Sequence, residues 1–330
     1  MDTLTSSTLL KTVKPVTPCL RSMLQDTEIT FLMEAHNGLS AKIAEEAGFS
    51  ALWASGLSIS TSLGVRDHNE ASWTQVLEVV EFMVDSVSVP VLLDGDTGFG
   101  DFNNARRLVR KLCQRGVAGV CFEDKIFPKT NSFLGNEQPL ASVQEFCGKI
   151  KAAKDTQTDD DFCVVARTET LISGRSMEEA LRRAEAYHAA GADAILIHSK
   201  KKSSDEVLEF ARRWGNRSPV VIVPTMYHHT PTDLFRKGGI SAVIWANHSL
   251  RAAILAMQTI VGRIHACESV SGIDADIAPL DEVFRLTNVA ELEEAEKQYA
   301  GGAKEDHKGA SEPQKASTRS GGSDVRREVA

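Results

Sequence analysis

The sequence predicts an α/β protein, a TIM-type (β/α)8 barrel with extra C-terminal helices, because one pattern of segments recurs along it. A helical segment ends in glycine, and two or three residues later an apolar run begins that suits a buried parallel strand. This pattern occurs in residues 45–55, 114–124, 189–199 and 236–247. With the remaining segments added, eight strands alternate with eight helices, which is the count of a TIM barrel.

The apolar runs place the eight strands in order along the chain. They are expected near residues 30–35, 51–55, 90–94, 119–123, 163–167, 194–198, 220–224 and 242–246. Amphipathic segments predict helices at 74–86, 104–114, 143–154, 177–190, 205–214, 232–237 and 250–265. An open doubly wound sheet is the structural alternative, but GDTGFG at 95–100 lacks the GxGxxG spacing of its dinucleotide-binding form.

The two ends of the chain differ from its middle. Residues 21–299 are expected to form the barrel domain and a C-terminal helical arm whose second stretch lies near 280–299. Such an arm packs on its own barrel or is swapped onto a neighbouring subunit. Residues 1–20 are expected to be partly disordered. Residues 300–330 contain no Leu, Ile, Phe, Trp, Tyr or Met and predict a disordered tail, because they cannot bury a core.

Composition excludes several classes of function. The net charge of −8, with no long basic run, argues against a general binder of nucleic acid or membrane surfaces. The six cysteines are scattered and form no CxxC pair, which is typical of reduced thiols. No apolar run reaches membrane-spanning length, and the first 25 residues lack a signal-peptide core. We therefore expect a cytoplasmic protein that acts on a small molecule.

Polar residues directly follow the apolar runs, where a TIM barrel carries its catalytic groups. Any one of them could be a capped strand end, but a complete ring of them predicts an active site. The ring comprises Glu34, His36, Trp53, Ser55, Asp94, Asp96, Glu123, Arg167, His198, Thr225 and Asn247.

Three carboxylates in this ring predict a magnesium site. Asp94 and Asp96 are two residues apart and share one face of an extended segment, and Glu123 comes from the next strand. Carboxylates this close repel one another unless a cation lies among them. Mg²⁺ suits such oxygen ligands, whereas no His–Cys set suggests zinc. An Asx-capped loop is the alternative interpretation of the Asp-Gly-Asp turn.

Hydrogen-bond donors form a second group, suited to an anionic substrate. They are Lys129, Asn131, Ser132, Arg167 and His198. An acidic, metal-holding pole opposite a donor-rich pole predicts a substrate with two anionic ends and a chelating oxygen. A 2-oxo acid with a second acidic group meets this description.

Several longer motifs resemble the phosphoenolpyruvate mutase and isocitrate lyase superfamily over about residues 20–299. They are WASGLSIS (53–60), GVRDHNEASW (64–73), LLDGDTGFGDFNNARRLVRKL (92–112), EDKIFPKTNS (123–132), ART (166–168), IHSKK (197–201) and VIWANH (243–248). Likeness to the mutase branch implies an isomerase that uses Mg²⁺ to interconvert phosphoenolpyruvate and 3-phosphonopyruvate. This reaction forms the C–P bond in phosphonate biosynthesis.

The resemblance also implies roles for individual residues. Asp94 is implied to lie closest to Mg²⁺, with Asp96 and Glu123 acting through metal-bound waters. The substrate carboxylate would be held by Ser55 and the backbone N–H groups of Gly56 and Leu57, while Trp53 would line the pocket. Asp67 would lie beside the reacting phosphorus, either as a transient nucleophile or as a group that confines a metaphosphate-like species. The phosphoryl group would be cradled by Asn131, Ser132, Arg167 and His198, beneath a mobile gate from residue 125 to about 134 that closes with Lys129.

The gate separates the branches of the superfamily. Its carbon–carbon lyases carry a K-[KR]-C-G-H loop whose Cys is the acid–base residue, whereas residues 129–132 here read KTNS. This departure argues against isocitrate or methylisocitrate cleavage. Phosphonopyruvate hydrolase, which forms pyruvate and phosphate, remains an alternative, but Asn131 and the full gate favour the mutase. A non-catalytic barrel that binds an oxo acid is a further alternative, against which the intact set of site residues argues.

The resemblance implies partners as well. Similar family members are homotetramers that swap C-terminal helices, so a homo-oligomer is expected. Forming the C–P bond is uphill, so a thiamine-dependent phosphonopyruvate decarboxylase is the expected pathway neighbour. Such a pathway would produce phosphonates, including phosphonate antibiotics.

Overall fold

The computed structural model of the protein describes residues 17–133 and 139–300, with side chains from residue 20 onward. These residues fall into two compact units that divide between Val270 and Ser271. The first unit contains a closed barrel of eight parallel strands in chain order, so the predicted TIM-type fold is confirmed. The strands are β1 (Thr30–Ala35), β2 (Ala51–Ala54), β3 (Val91–Asp94), β4 (Gly119–Glu123), β5 (Cys163–Thr168), β6 (Ala194–Ile197), β7 (Val220–Ile222) and β8 (Ala242–Trp245).

Helices surround the barrel, and all but the first of those in this unit lie outside its strands. They are α1 (Thr17–Gln25), α2 (Gly38–Glu46), α3 (Gly56–Ser62), α4 (Trp73–Ser86), α5 (Phe102–Gln114), α6 (Val143–Lys154), α7 (Met177–Ala189), α8 (Asp205–Trp214), α9 (Thr232–Lys237) and α10 (His248–Cys267). The strand boundaries agree with the predicted ones to within two residues. Continuous apolar runs predict the strand boundaries well here because both faces of each strand are buried.

Alternate residues of each strand point into the barrel, and this period of two positions the site. The buried inner cluster includes Leu32, Trp53, Leu92, Cys121, Val165, Leu196 and Ile244. Two residues further along their strands, the same inward rows continue as Ser55, Asp94, Glu123, Arg167 and His198. The rows are therefore apolar within the barrel and become polar at its carboxyl end.

Helix α1, which the sequence analysis did not predict, closes the opposite end of the barrel. Its Leu20 and Leu24 belong to the inner apolar cluster. A Cβ added to Gly119, the first residue of β4, would lie 3.2 Å from Leu20. Arg21 of the same helix donates to Asp193, just before β6, over 3.0 Å. Apolar side chains of α1 thus fill the interior at this end, whereas the inward rows become polar at the carboxyl end.

The second unit holds a 3-10 turn (Asp274–Asp276), α11 (Leu280–Leu286) and α12 (Val289–Tyr299). The single helical stretch expected near 280–299 is in fact two helices, because Asn288 adopts a left-handed conformation with φ of 56°. In the part of the chain that the structure describes, no helix is long and apolar enough to cross a membrane. The disorder expected for most of 1–20 and for the 300–330 tail concerns residues outside the described ranges.

Candidate active site

Most of the polar residues expected at the site lie around one cavity at the carboxyl end of the barrel, whereas Glu34 and His36 are not in its lining and contact each other over 2.7 Å. The cavity has a volume of about 60 Å³, which suits a small substrate. Gly56 and Asp96 lie directly behind its wall, where their backbone N–H groups point to the carboxylate of Asp94 at 3.4 Å. The expected residues that form the wall itself are Trp53, Ser55, Leu57, Asp67, Asp94, Glu123, Lys129, Asn131, Ser132, Arg167, His198, Thr225 and Asn247.

Three buried carboxylates, Asp94, Asp96 and Glu123, form an acidic pole on one side of the cavity. Gly95 allows this arrangement, because a Cβ there would lie 2.4 Å from a valine methyl group of β4. A Cβ on Gly56 would lie 3.1 Å from Asp96 Oδ1 and 3.2 Å from Asp94 Oδ2, so this glycine leaves room beside both carboxylates. The backbone therefore holds the carboxylates at the carboxyl ends of β3 and β4.

The acidic pole lacks enough positive charge of its own. Burial raises the pKa of Asp96 to about 8, and the charges of Asp94 and Asp67 add to this while Lys129 opposes it. Burial also raises the pKa of Glu123 to about 7, against the opposing charge of Arg167. Such shifts mean that the ionised forms are costly in this arrangement. A cation at the pole would remove that cost.

The acidic pole fits Mg²⁺ as an ion held by few direct protein ligands. Oε1 of Glu123 is buried and has no hydrogen-bond partner among the residues described. Within those residues, no three carboxylate, thiol or imidazole groups converge closely enough to grip an ion directly. Mg²⁺ commonly keeps several waters and binds through one or two carboxylates, so this donor set is compatible with it.

Residues 125–133, the described part of the gate, cross the cavity and contact Asp67. The ammonium group of Lys129 lies 2.7 Å from Asp67 Oδ1 and also forms an ion pair with Asp96. Asn131 Nδ2 donates to Asp67 Oδ2 over 2.7 Å. Burial alone would raise the pKa of Asp67, but Lys129 and Asn131 bring it below its ordinary value. Asp67 is therefore an anion held by two gate side chains.

Arg167, His198 and Ser132 form a donor pole across the cavity, and the buried carboxylate of Glu169 holds them together. Ser132 Oγ donates to Glu169 over 2.6 Å, and His198 Nδ1 lies 2.8 Å from it. Arg167 Nε donates to the same carboxylate. Burial would raise the pKa of Glu169, but Arg167 and His198 hold it well below its usual range. The donor pole thus contains its own counter-ion.

The contact with Glu169 orients the imidazole of His198. Nδ1 lies 2.8 Å from Glu169, which only accepts, and 3.0 Å from Nη2 of Arg167, which only donates. The shorter contact with the carboxylate favours a proton on Nδ1, which leaves Nε2 toward the cavity. Nε2 is buried and has no partner within the described residues. Burial lowers the pKa of His198, while Glu169 opposes that shift. The cavity therefore presents one unpartnered ring nitrogen beside the Arg167 guanidinium.

Sequence analysis missed two residues of this arrangement, Glu169 and Lys125. Lys125 is buried, and its ammonium group donates to the carbonyl of Thr130 over 2.6 Å and to Ser132 Oγ over 3.1 Å. Both missed residues lie two positions after a residue of the ring, Arg167 or Glu123. Following each inward-facing row for two more residues beyond Arg167 and Glu123 would have identified both.

The fold and the cavity together define an enzyme of the (β/α)8 barrel class whose site accepts a small anionic substrate. A family model described as phosphoenolpyruvate phosphomutase matches residues 20–265. The phosphoenolpyruvate phosphomutase of Tetrahymena pyriformis is 59% identical over 281 residues, which cover 85% of this chain and 94% of the relative. The chain belongs to the phosphoenolpyruvate phosphomutase family.

Two solved structures show the same fold. The phosphoenolpyruvate phosphomutase from Streptomyces platensis subsp. rosaceus matches with a TM-score of 0.84 and 46% identity, covering 86% of this chain and 99% of that one. A phosphonopyruvate hydrolase in complex with oxalate and Mg²⁺ matches with a TM-score of 0.82 and 37% identity. The match covers 87% of this chain and 100% of the hydrolase chain. The lower identity of the hydrolase places the chain nearer to the mutase.

Proposed function

We propose that this protein catalyses the phosphoenolpyruvate phosphomutase reaction, the interconversion of phosphoenolpyruvate and 3-phosphonopyruvate. In this isomerisation the phosphoryl group moves between the enol oxygen and carbon 3 of the same molecule. One observation carries the proposal: Lys129 and Asn131 of the gate both hold Asp67, and they do so over a cavity that Arg167 and His198 line. This arrangement suits a phosphoryl group that must be moved without reaching water.

The substrate carboxylate is assigned to the cavity wall formed by β2 and the start of α3. Ser55 is buried between these elements, and the N–H groups of Gly56 and Leu57 follow it. Trp53 precedes them in the same inward row and limits the depth of the cavity. A three-carbon acid fits between this wall and the acidic pole.

Asp94, with Asp96 and Glu123 behind shared waters, would hold Mg²⁺. The bound ion would stabilise the enolate form of pyruvate by drawing charge from its oxygens. The raised pKa values of Asp96 and Glu123, and the unpartnered Oε1 of Glu123, support this assignment. The similar hydrolase solved with Mg²⁺ supports it from outside the chain.

The phosphoryl group is assigned to the donor pole. Arg167 would neutralise charge on its equatorial oxygens, and His198 would donate to one of them through Nε2 when the ring takes up a second proton. Positioning and charge stabilisation carry most of the catalysis in a loose phosphoryl transfer. Asp67 stays ionised at the opposite side, either as a transient acceptor of the phosphoryl group or as an anion that confines it. The gate residues Lys129 and Asn131 would exclude water during transfer.

Hydrolysis of phosphonopyruvate to pyruvate and phosphate is the second candidate, because a phosphonopyruvate hydrolase shares the fold. Phosphorus NMR of the purified protein with Mg²⁺ and phosphonopyruvate separates the two. We expect the phosphonate signal to be replaced by that of phosphoenolpyruvate, with no inorganic phosphate. The Asp94→Ala variant serves as the inactive control. Stoichiometric phosphate release by the unaltered protein would assign it to the hydrolase reaction instead.

We also propose that the protein is a homo-oligomer, in keeping with the expected helix-swapped tetramer. Leu250 is the one residue of α10 that is buried, whereas Leu255, Met257 and Val261 are 67%, 57% and 63% exposed. Met257 and Val261 are four residues apart on one side of α10 and Leu255 is on another, so apolar side chains are exposed on more than one side of the helix. A second copy can cover them. Light scattering after gel filtration checks this, and a monomer at micromolar concentration would contradict it.

The cellular setting belongs to the same proposal. The cysteines from residue 20 onward in the described part are free, as in proteins of a reducing compartment such as the cytoplasm. Because equilibrium favours phosphoenolpyruvate, net synthesis requires an enzyme that removes phosphonopyruvate, and a decarboxylase is the expected neighbour. Coupled assays with such an enzyme test this placement, since C–P product should then accumulate from phosphoenolpyruvate.

A further inference from the structure

Asn69 connects the gate to the acidic pole, although none of the proposed catalytic roles involves it. Its Nδ2 donates to Asp96 Oδ2 over 2.8 Å. Its Oδ1 accepts from the backbone N–H of Lys129, also over 2.8 Å. One amide group therefore bonds to a carboxylate of the proposed metal site and to the main chain of the gate.

The second of these bonds differs from the other contacts that hold the gate closed. Lys129 Nζ and Asn131 reach Asp67 through flexible side chains. Lys125 donates to the carbonyl of Thr130, but both of these residues belong to the gate. Two backbone donors of the gate reach partners outside it. Ile126 N–H donates to the carbonyl of Pro139 over 3.4 Å near the start of the gate. Lys129 N–H donates to Asn69 over 2.8 Å where the gate crosses the cavity. Asn69 therefore determines where the Lys129 main chain rests.

We propose that Asn69 is the latch of the gate, a positioning residue that couples gate closure to the orientation of Asp96. This inference rests on the proposed function, because it concerns the gate of the same site. When the latch is made, the Lys129 ammonium group falls between Asp67 and Asp96. When it is broken, the gate opens more often and Asp96 loses a fixed hydrogen bond.

The chemistry of the position favours asparagine. The amide must donate on one side and accept on the other, which a carboxylate cannot do. The backbone of Asn69 is left-handed, with φ of 54°, a conformation that asparagine and glycine adopt with little strain. Asn69→Gly therefore removes both hydrogen bonds and leaves the backbone conformation accessible.

The experiment compares two glycine variants by hydrogen–deuterium exchange of the gate and by turnover. Asn69→Gly should speed exchange of peptides covering residues 126–133 by about 10-fold or more and lower kcat/KM by about 10- to 100-fold, as for the loss of two hydrogen bonds, one of them charged. The loss should fall mainly on kcat, since the groups that bind substrate remain. The control is Asn216→Gly, which makes the same change at another left-handed asparagine, with φ of 57°, in the exposed turn between α8 and β7 at the opposite end of the barrel.

A second variant protects the test against misfolding. Asn69→Asp keeps the shape and the acceptor but removes the donor, and it sets a second carboxylate beside Asp96. Repulsion between the two carboxylates should push the new side chain away from the Lys129 N–H group. Exchange of the gate should therefore also become faster, while exchange in the barrel strands stays as in the unaltered protein. Gate exchange at the unaltered rate in both variants would overturn the latch. If the unaltered protein showed no mutase turnover but Asn69→Gly still exchanged faster at the gate, the latch would be supported and the proposed function refuted. The failure of one proposal is therefore distinguishable from the failure of the other.

Discussion

The two poles of the cavity are equally buried but balance their charges in opposite ways. At the donor pole, Glu169 accepts hydrogen bonds from Arg167, Ser132 and His198, and its pKa lies well below the ordinary value. At the acidic pole, the pKa values of Asp96 and Glu123 are raised to about 8 and about 7. Both poles sit at the ends of neighbouring strands, so position alone does not explain the difference.

The difference lies in where the counter-ion comes from. The donor pole contains its own counter-ion, Glu169, which directly follows β5, and is thus preorganised before substrate arrives. The acidic pole receives positive charge from Lys129, which belongs to the gate, and, under the proposed function, from Mg²⁺ taken up from solution. We infer that one half of the site is fixed by the fold and the other half is assembled when gate and metal are in place.

The largest effect is expected where the two halves meet, at Asp67. Asp67→Ala should reduce turnover by about 10³-fold or more, because the group that faces the migrating phosphoryl group is lost. Substrate binding should stay largely intact, since Ser55, Arg167 and His198 remain. Phosphorus NMR gives the rate, and isothermal titration with oxalate and Mg²⁺ gives the binding. Turnover near that of the unaltered protein would remove Asp67 from the mechanism.

The next largest effect is expected on stability, when the buried ion pairs of the donor pole are broken. Arg167→Leu leaves Glu169 and Glu123 without their buried partner, and removing one member of a buried ion pair costs about 3–5 kcal/mol. Urea unfolding monitored by circular dichroism measures this loss. The matched control is Arg212→Leu, which breaks the exposed pair with Glu209 and should cost no more than about 1 kcal/mol. Equal losses in the two variants would show that the donor pole is not a linked unit.

The strands and most residues of the two poles could be predicted from the sequence, whereas the remaining residues could be placed only from the tertiary structure. The apolar runs predicted each strand because the strands are buried on both faces, and the strand ends then placed Asp94, Glu123, Arg167 and His198. Glu169 was missed because the residues after Arg167 look like a polar loop, and only the barrel shows that the inward row continues through them. The break at Asn288 was missed for a related reason, since a single left-handed residue hardly alters a helical pattern.

A smaller effect should follow from removing the counter-ion without removing the donors. Glu169→Gln keeps the shape of the side chain but loses the charge that orders Arg167 and His198. Second-shell changes of this kind cost about 10- to 100-fold in activity, and we expect the loss mainly in kcat. Nitrogen NMR of the histidines should show that His198 no longer holds its proton mainly on Nδ1. An unchanged His198 tautomer with unchanged kcat would mean that Glu169 is only a packing residue.

The smallest effect is expected in the pH dependence of stability, which depends on the carboxyl groups of the acidic pole. The ordinary pKa values of 3.8 for Asp96 and 4.5 for Glu123 are raised to about 8 and about 7 on folding, so the folded protein binds more protons between about pH 4 and pH 8. The stability that these carboxyl groups contribute is therefore present at low pH and is lost as pH rises through that window. Glu169 has a lowered pKa, so its contribution is lost only as pH falls below about its ordinary value of 4.5, outside the range tested.

Mg²⁺ competes with protons for the acidic pole, so it should stabilise the protein more at pH 8 than at pH 6. Each tenfold gain in affinity adds about 1.4 kcal/mol at saturating ion, and 1 kcal/mol shifts the unfolding temperature of a domain near this size by about 2–4 °C. We expect the rise caused by Mg²⁺ in differential scanning calorimetry to be a few degrees larger at pH 8. NaCl at equal ionic strength should give no such difference. A rise that is equal at both pH values, or larger at pH 6, would mean that Mg²⁺ does not compete with protons at these carboxylates, and the acidic pole would then not be its site.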